Sequence, residues 1–141
     1  DGAWDALAEQ DAIIFGSPAY LGSVTAGFKT FMDATFRRWK GRSCSGKLAA
    51  GFANSGGLSG DKLAVLEQHN LFAMRHGMLW VGLPILPTGS GVEDLNRLSS
   101  FLGLMTQSGD APVEETPPAG DLATAHWFGE HVARTALRLQ L

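Results

Sequence analysis

Two short loops carry most of the chemistry this sequence offers. The first, Pro18-Ala-Tyr-Leu-Gly-Ser23, and the second, Asn54-Ser-Gly-Gly-Leu-Ser-Gly60, each follow an apolar run and precede a helical pattern. Loops of small residues leave backbone N–H groups accessible, and glycine lets the chain approach a ligand closely. A glycine-rich loop ahead of a helix is also a general cradle for anions. Taken alone, the first loop is equally a strand-to-helix turn with a surface tyrosine, and the second is a weak anion signal. The side chains that usually make and break bonds are poorly arranged. Cys44 stands between two serines without an evident base. His126 and His131 are five apart, off the spacing of a helical zinc pair, and His69 and His76 are seven apart. Both pairs read as surface or packing residues, and Asp33, beside a basic face, as a solvated ion pair. No Ser–His–Asp set or carboxylate pair stands out, so no side chain is assigned a catalytic role and no metal is expected.

The elements around these loops read as βα units. Asp11 to Pro18 is a continuous apolar run, the habit of a strand buried on both faces of a parallel sheet. Ser23 offers an N-cap, and Val24, Phe28, Phe31, Thr35 and Trp39 recur at helical spacing, leaving Lys29, Arg37, Arg38 and Lys40 largely to the other face. A second strand is predicted over Lys47 to Ala53. Asp61 then caps a helix in which Leu63, Leu66, Asn70, Ala73 and Met74 share a face, and Gly77 sits where a helix end wants a left-handed residue. A third strand follows over Met78 to Pro84. The stretch from Ile85 to Gly120 is irregular, with a short strand expected in Ser100 to Thr106. Asp121 caps a last helix to about Leu139, with Leu122, Ala125, Gly129, Val132, Ala136 and Leu139 inward. Such units give a parallel sheet with right-handed crossovers, whose ligands sit beyond the carboxyl ends of the strands.

With 141 residues, the chain is long enough for one domain with a real core and short for two. It is 45% hydrophobic and 18% charged, a globular balance. A net charge of −3 gives no basic surplus for nucleic acid. No apolar run approaches the ~18 residues of a membrane span. The single Cys44 cannot form an intramolecular disulfide, which points to a reducing, cytoplasmic setting.

Four blocks in register resemble one family. They are Asp11 to Ser23 with Phe28-Lys-Thr-Phe-Met-Asp33, then Trp39 to Lys47, Phe52 to Gly60, and Arg75-His-Gly-Met-Leu-Trp-Val-Gly-Leu-Pro84. Together they resemble the flavodoxin-like NAD(P)H:quinone oxidoreductases of the tryptophan-repressor-binding-protein type and the related NAD(P)H-dependent FMN reductases. A weaker match resumes at Phe128 to Ala133. The resemblance implies a flavodoxin-like doubly wound α/β fold, with the last three βα units of a five-stranded sheet of order 2-1-3-4-5. The chain then reads as a single domain over residues 1–141 that is N-terminally incomplete. The family's first strand and phosphate loop would precede Asp1, and the first strand here would pair with that earlier one. The first loop also departs from the family's usual Thr-Arg-Phe-Gly-Asn run.

The same resemblance implies FMN, with NAD(P)H as co-substrate and a quinone or similar small acceptor. Pro18, Ala19, Tyr20, Leu21, Gly22 and Ser23 would cover the ring and offer backbone groups to it. Asn54, Ser55, Gly56, Gly57 and Gly60 would meet its pyrimidine edge. Arg75 stands where the family places a histidine close to the flavin; the other reading is a cation neutralising a helix C-terminus. Trp39 would wall the ring of a neighbouring subunit in a homodimer or homotetramer, or is an ordinary core-edge aromatic. Phe101, Leu102, Leu104 and Met105 would line an acceptor pocket, or are simple core. Rival functions are a flavodoxin-type FMN carrier that does not oxidise NAD(P)H, and a flavin-free interaction module. The flavin itself carries the chemistry.

Overall fold

A computed structural model describes residues 2–139. Its centre is strand β2 (Leu48–Ser55), which pairs in parallel with β1 (Ala12–Pro18), Ala12 opposite Leu48 through to Pro18 opposite Asn54. The other edge of β2 holds two short strands placed end to end. β3 (Leu79–Trp80) lies beside Leu48 and Ala49, and β4 (Leu104–Gln107) beside Phe52 to Ser55, both parallel to β2. The third predicted strand is therefore shorter than its apolar run. Val81 still donates to the Ala49 carbonyl, but Leu83 donates to Phe101, because the returning chain takes over the place beside β2.

Helices cover both faces of the sheet. On one lie α2 (Ala26–Ala34), α3 (Phe36–Lys40) and α4 (Lys62–Arg75), enclosing Phe15, Ala49, Val65, Leu66, Phe72 and Ala73. Short α1 (Gly2–Ala8), which has no counterpart in the sequence reading, stacks Trp4 on Phe31 at 5.7 Å. On the other face α5 (Ala119–Leu139) packs Phe128 and Val132 against Leu48, Ala50, Leu83 and Leu104, with Ala12 at the margin. Beyond α5 the sheet is partly open. Ile14 and Phe52 are 42% and 40% exposed, and the Phe52 ring lies across Gly16. β1 is thus not buried on both faces, as its unbroken apolar run had implied.

Several helix boundaries differ from the expectation. Thr25, not Ser23, caps α2, accepting from Phe28 N–H at 3.1 Å; Ser23 instead donates to Gln68. The predicted single helix from Val24 to Trp39 breaks at Thr35, whose hydroxyl bonds the Met32 carbonyl and the His76 ring. Asp61 adopts a left-handed backbone and makes no side-chain cap. Gly77 does end α4 in the left-handed region, at φ 74°. The buried face of α4 is Lys62, Val65, Leu66, His69, Phe72 and Ala73, so Leu63 and Met74 face outward. The hydrophobic pattern misses this rotation because two polar residues turn inward. Asp121 lies inside α5 rather than capping it, and the buried stripe runs Asp121, Thr124, Phe128, Val132, with Leu122 and Leu139 exposed. Among the described residues no helix is long and apolar enough to cross a membrane.

His69 is fully buried among Phe15 and Phe28, and neither ring nitrogen has a partner. Burial lowers its pKa from 6.5 to about 4. Above the unfolded value both states are neutral and stability is complete. As pH falls through that value the unfolded chain takes up a proton that the folded chain refuses, and stability drops until the folded pKa is reached. Going from about pH 7 to about pH 5 should remove about 2 kcal/mol by this route. Urea unfolding at both pH values checks it: His69→Leu should lose correspondingly less than the parent chain, and an equal loss would show that His69 is not the group responsible.

Candidate functional site

Parallel pairing brings the carboxyl ends of β1, β2 and β4 side by side, with Pro18 opposite Asn54 and Asn54 opposite Thr106. Adjacent strands lie about 4.8 Å apart, so the loops that follow them share one rim. The first loop continues the ladder for one residue, Ala19 N–H donating to the Asn54 carbonyl at 2.9 Å. Tyr20 and Ser23 then exchange two backbone bonds, of 3.0 and 3.1 Å, around Leu21 and Gly22. Both central residues have positive φ, 50° and 75°. Glycine takes that conformation freely, whereas for leucine it costs about 1–2 kcal/mol. The turn holds Tyr20 65% exposed and Leu21 fully exposed at the rim, two side chains left uncovered by the described residues. Gln68 of α4 fixes the turn from below, accepting from the Ser23 hydroxyl and from Val24 N–H.

The second loop is held by side chains that reach it from beneath. Lys62, fully buried at the start of α4, donates to Ser55 Oγ (2.8 Å), the Gly57 carbonyl (2.7 Å) and the Leu58 carbonyl (3.0 Å). Burial pushes its pKa down; the Asp121 carboxylate pulls it back up, and the Arg97 guanidinium adds to the lowering. Ser55 accepts from Lys62 and donates to the Gly57 carbonyl. Gly60, at φ 54°, leaves the space this hydroxyl occupies; a Cβ there would strike Ser55 Oγ, whereas Gly56 and Gly57 have ordinary room for one. Asn54 Oδ1 accepts from the Thr106 and Ser108 hydroxyls. The Ser55 hydroxyl and the Asn54 amide oxygen are thus engaged within the protein. The N–H groups of Gly56, Gly57, Leu58, Ser59 and Gly60, by contrast, donate to no acceptor among the described residues.

A third loop belongs to the rim and was missed in the sequence. Ser108 N–H donates to the Ser55 carbonyl at 3.0 Å, and Gln107 Nε2 donates to the Gly56 carbonyl at 3.0 Å. Behind them Arg97 and Asp121 form a buried pair, Nε to Oδ1 at 2.7 Å and the terminal nitrogen to Oδ2 at 3.1 Å, with side-chain exposures of 6% and 2%. The Gln107 side-chain oxygen accepts from Arg97, and the Gln107 backbone N–H donates to Asp121. A Thr-Gln-Ser-Gly run after an apolar pair was the only signal available for this loop.

Arg75 and Trp39 are not at this rim. Lys62 begins α4 at the rim and Arg75 ends this 14-residue helix, about 20 Å away at 1.5 Å per residue. Within one chain Arg75 and the Tyr20 turn thus lie at opposite ends of the sheet. The structure instead joins it to Trp39, the guanidinium 5.2 Å from the indole centroid. The two border an open recess with Phe36, Phe72 and His76 at the far end of the sheet. His76 is held below its ordinary pKa by burial first and by Arg42 second. Of the residues expected to line an acceptor pocket, Leu104 belongs to the α5 core, and Leu102 and Met105 pack around Val24 and Leu66. Met105 also borders a recess with Leu58, Leu63 and Arg97, while Phe101 is 48% exposed.

The chain has clear relatives. A model of the family described as NADPH-dependent FMN reductase matches residues 3–92. Flavodoxin FldP of Pseudomonas aeruginosa is 37% identical over 142 residues, covering 99% of this chain and 77% of that protein. An NAD(P)H dehydrogenase (quinone) of Geotalea daltonii is 36% identical, covering 96% of this chain and 65% of its relative. The crystal structure of a flavodoxin, a WrbA-like protein from Agrobacterium tumefaciens, superposes with a TM-score of 0.76 at 36% identity, over 98% of this chain and 73% of the other. The doubly wound α/β reading therefore stands.

The Arg97–Asp121 pair yields a test independent of any ligand. Removing one partner leaves the other charge buried and should cost about 3–5 kcal/mol, while replacing both with apolar residues should restore much of that. Guanidinium chloride unfolding of Arg97→Met and of Arg97→Met with Asp121→Leu measures it. A single variant within about 1 kcal/mol of the parent would mean that the pair is solvated.

Proposed function

The chain belongs to the NADPH-dependent FMN reductase family, and on that premise we propose that it binds FMN at the rim formed by the Tyr20 turn and the Ser55–Gly60 loop. There it would pass electrons from NAD(P)H to a quinone or similar small acceptor in the cytoplasm. The observation that carries this reading is the convergence of two unlike surfaces at one sheet end. Tyr20 and Leu21 stand out as exposed apolar bodies, and the loop after the adjacent strand carries a row of backbone N–H groups with no acceptor among the described residues. A planar heterocycle with an apolar body and a carbonyl-rich edge needs both. When bound, FMN supplies the hydride and electron chemistry.

The protein's own residues bind and orient. Tyr20 and Leu21 give flat cover, and Pro18, Ala19, Gly22 and Ser23 shape the turn that carries them. Asn54, Ser55, Gly56, Gly57 and Gly60 form the hydrogen-bonding wall. No side chain is asked to hold or move a proton, in keeping with a rim whose side-chain polar groups are largely tied to the protein itself. Trp39 and Arg75 sit at the far end of the sheet, so we assign them to the ring of a neighbouring subunit in a homodimer or homotetramer, as one stacked unit. The likeness to flavodoxin FldP favours one second reading, an FMN carrier that does not oxidise NAD(P)H. A net charge of −3 and the basic run Arg37, Arg38 and Lys40 argue against the strongly acidic docking face expected of such carriers.

Two measurements test the assignment. Purified protein titrated with FMN should quench flavin fluorescence and then oxidise NADPH in the steady state with benzoquinone. Binding without turnover would select the carrier, and no binding would end the flavin reading. Trp39→Ala should lower kcat/KM for benzoquinone about tenfold and weaken FMN binding as well, the loss expected of an aromatic that walls the ring at a shared interface. An unaltered kcat/KM would return Trp39 to the role of a packing residue.

A further inference from the structure

Lys62 is unusual in being a fully buried ammonium with no carboxylate in contact among the described residues. All of its hydrogen bonds go to one loop: two to consecutive backbone carbonyls, Gly57 and Leu58, and one to the hydroxyl of Ser55, which itself bonds the Gly57 carbonyl. A trans peptide is planar, with its C=O and the following N–H pointing in opposite directions. Drawing the Gly57 carbonyl toward Lys62 therefore turns Leu58 N–H away from it, and drawing the Leu58 carbonyl inward does the same for Ser59 N–H. Gln107 adds a third tie: its Nε2 holds the Gly56 carbonyl and so turns Gly57 N–H away from that side chain. These three consecutive N–H groups are among those without an acceptor in the described residues.

We infer that Lys62 is a positioning residue for ligand binding: by holding the carbonyls of Gly57 and Leu58 inward, it aims the N–H groups of Leu58 and Ser59 at the acceptor edge of the bound ring. The inference rests on the flavin reading above and gives it a component of this chain's own. It also relocates the cation of the site. The helical cation suited by sequence to the flavin was Arg75, which the structure places at the far end of α4, whereas the cation at the rim is Lys62, at the near end. Lys62 acts through the backbone it holds. A flexible glycine loop would otherwise sample many orientations, and fixing them before the ligand arrives removes that ordering cost from binding. Three acceptors for three ammonium protons leave Lys62 no free donor of its own, so its effect on a ligand must pass through the loop.

The experiment compares the parent chain with Lys62→Met, which keeps the length and removes the charge, and with Lys62→Arg, which keeps a donor. Backbone N–H order parameters from NMR relaxation are read at residues 57–59 and at the β2 residues 49–53, and affinity is read with lumiflavin, the ring without ribityl or phosphate. In Lys62→Met, order parameters at 57–59 should fall from the rigid level of about 0.85 to below about 0.6 with β2 unchanged, and lumiflavin Kd should weaken by about tenfold, the scale of losing hydrogen bonds to a charged group. Lys62→Arg should recover part of both. Should Lys62→Met disturb β2 as well, the Arg variant and Gln107→Ala, which cuts only the Gly56 tie, carry the comparison. Unchanged order parameters at 57–59 with Kd within twofold would overturn the inference. Failure of the parent chain to bind lumiflavin and FMN would sink the flavin reading instead. The order parameters alone would then decide whether Lys62 orders the loop.

Discussion

Everything at the rim follows from the way β2 is paired. A central strand with parallel neighbours on both edges must send the connections of all three strands out at the same end, and register decides how closely they meet. Pro18, Asn54 and Thr106 lie level across the sheet, and the ladder runs on into the loops through Ala19 to Asn54 on one side and Ser108 to Ser55 on the other. The second loop is therefore flanked by the other two along its length. The same constraint sends α4 away from the rim, so that Lys62 and Arg75, on one helix, serve opposite ends of the molecule. A slip of one residue between β1 and β2 would exchange their buried and exposed faces and dissolve both cores at once.

Beneath the rim lies a layer of charge that the apolar core alone would not supply. Arg97, Asp121, Gln107 and Lys62 come from the irregular segment, α5, β4 and α4; Lys62 and Gln107 bond the carbonyls of residues 56–58 and Lys62 the Ser55 hydroxyl, while Arg97 and Asp121 hold Gln107 from behind. Burying such groups is unfavourable by itself, and the stability gained over an apolar replacement is small or negative. What the arrangement supplies is geometry. Carbonyls that would point at random in a glycine loop are each given a donor on the protein side, leaving the N–H groups free on the other. The interrupted edge strand is part of this. Because β3 ends early and the chain returns as β4, a segment carrying Arg97 is available to reach Asp121 and Gln107 from behind.

How much of this was legible in the sequence depends on whether local pattern or tertiary contact decided the outcome. The runs Ala12 to Gly16 and Leu48 to Ala53 declare strands because nothing polar interrupts them, and the glycines and serines after them mark loops at a shared end. Gly77 could be placed because the left-handed conformation at a helix end is a local requirement. Polar residues with distant partners defeated the reading. Lys62 and His69 look solvent-facing in a helical pattern, yet one is buried by the loop it holds and the other by phenylalanines from β1 and α2, which rotates the buried face of α4. Asp121 has the look of a helix cap and is an ion-pair partner of a residue 24 positions away. Arg75 carried the right charge at a family-matched position, but helix length, which no motif encodes, places it about 20 Å from the rim.

A recognition surface made of backbone rather than side chains has a particular consequence. The oxygens of Asn54 and Ser55 are engaged by Thr106, Ser108, Lys62 and Gly57, so the groups left for a ligand at this loop are chiefly main-chain donors. Main-chain donors are the same whatever residue stands at the position, so what discriminates between ligands is their orientation. On the proposed reading, that orientation would be set by side chains the ligand does not touch. Recognition and specificity would then be divided between two layers: an exposed one, made of N–H groups and the Tyr20–Leu21 turn, and a buried one, in which Lys62 and Gln107 set the angles and Arg97 and Asp121 hold Gln107. Substitutions within the loop can be nearly silent where Cβ has room, as at Gly56 and Gly57, whereas Gly60 is constrained by the Ser55 hydroxyl that Lys62 holds in place. On that reading, the residues that look least like a binding site would be the ones that determine its shape.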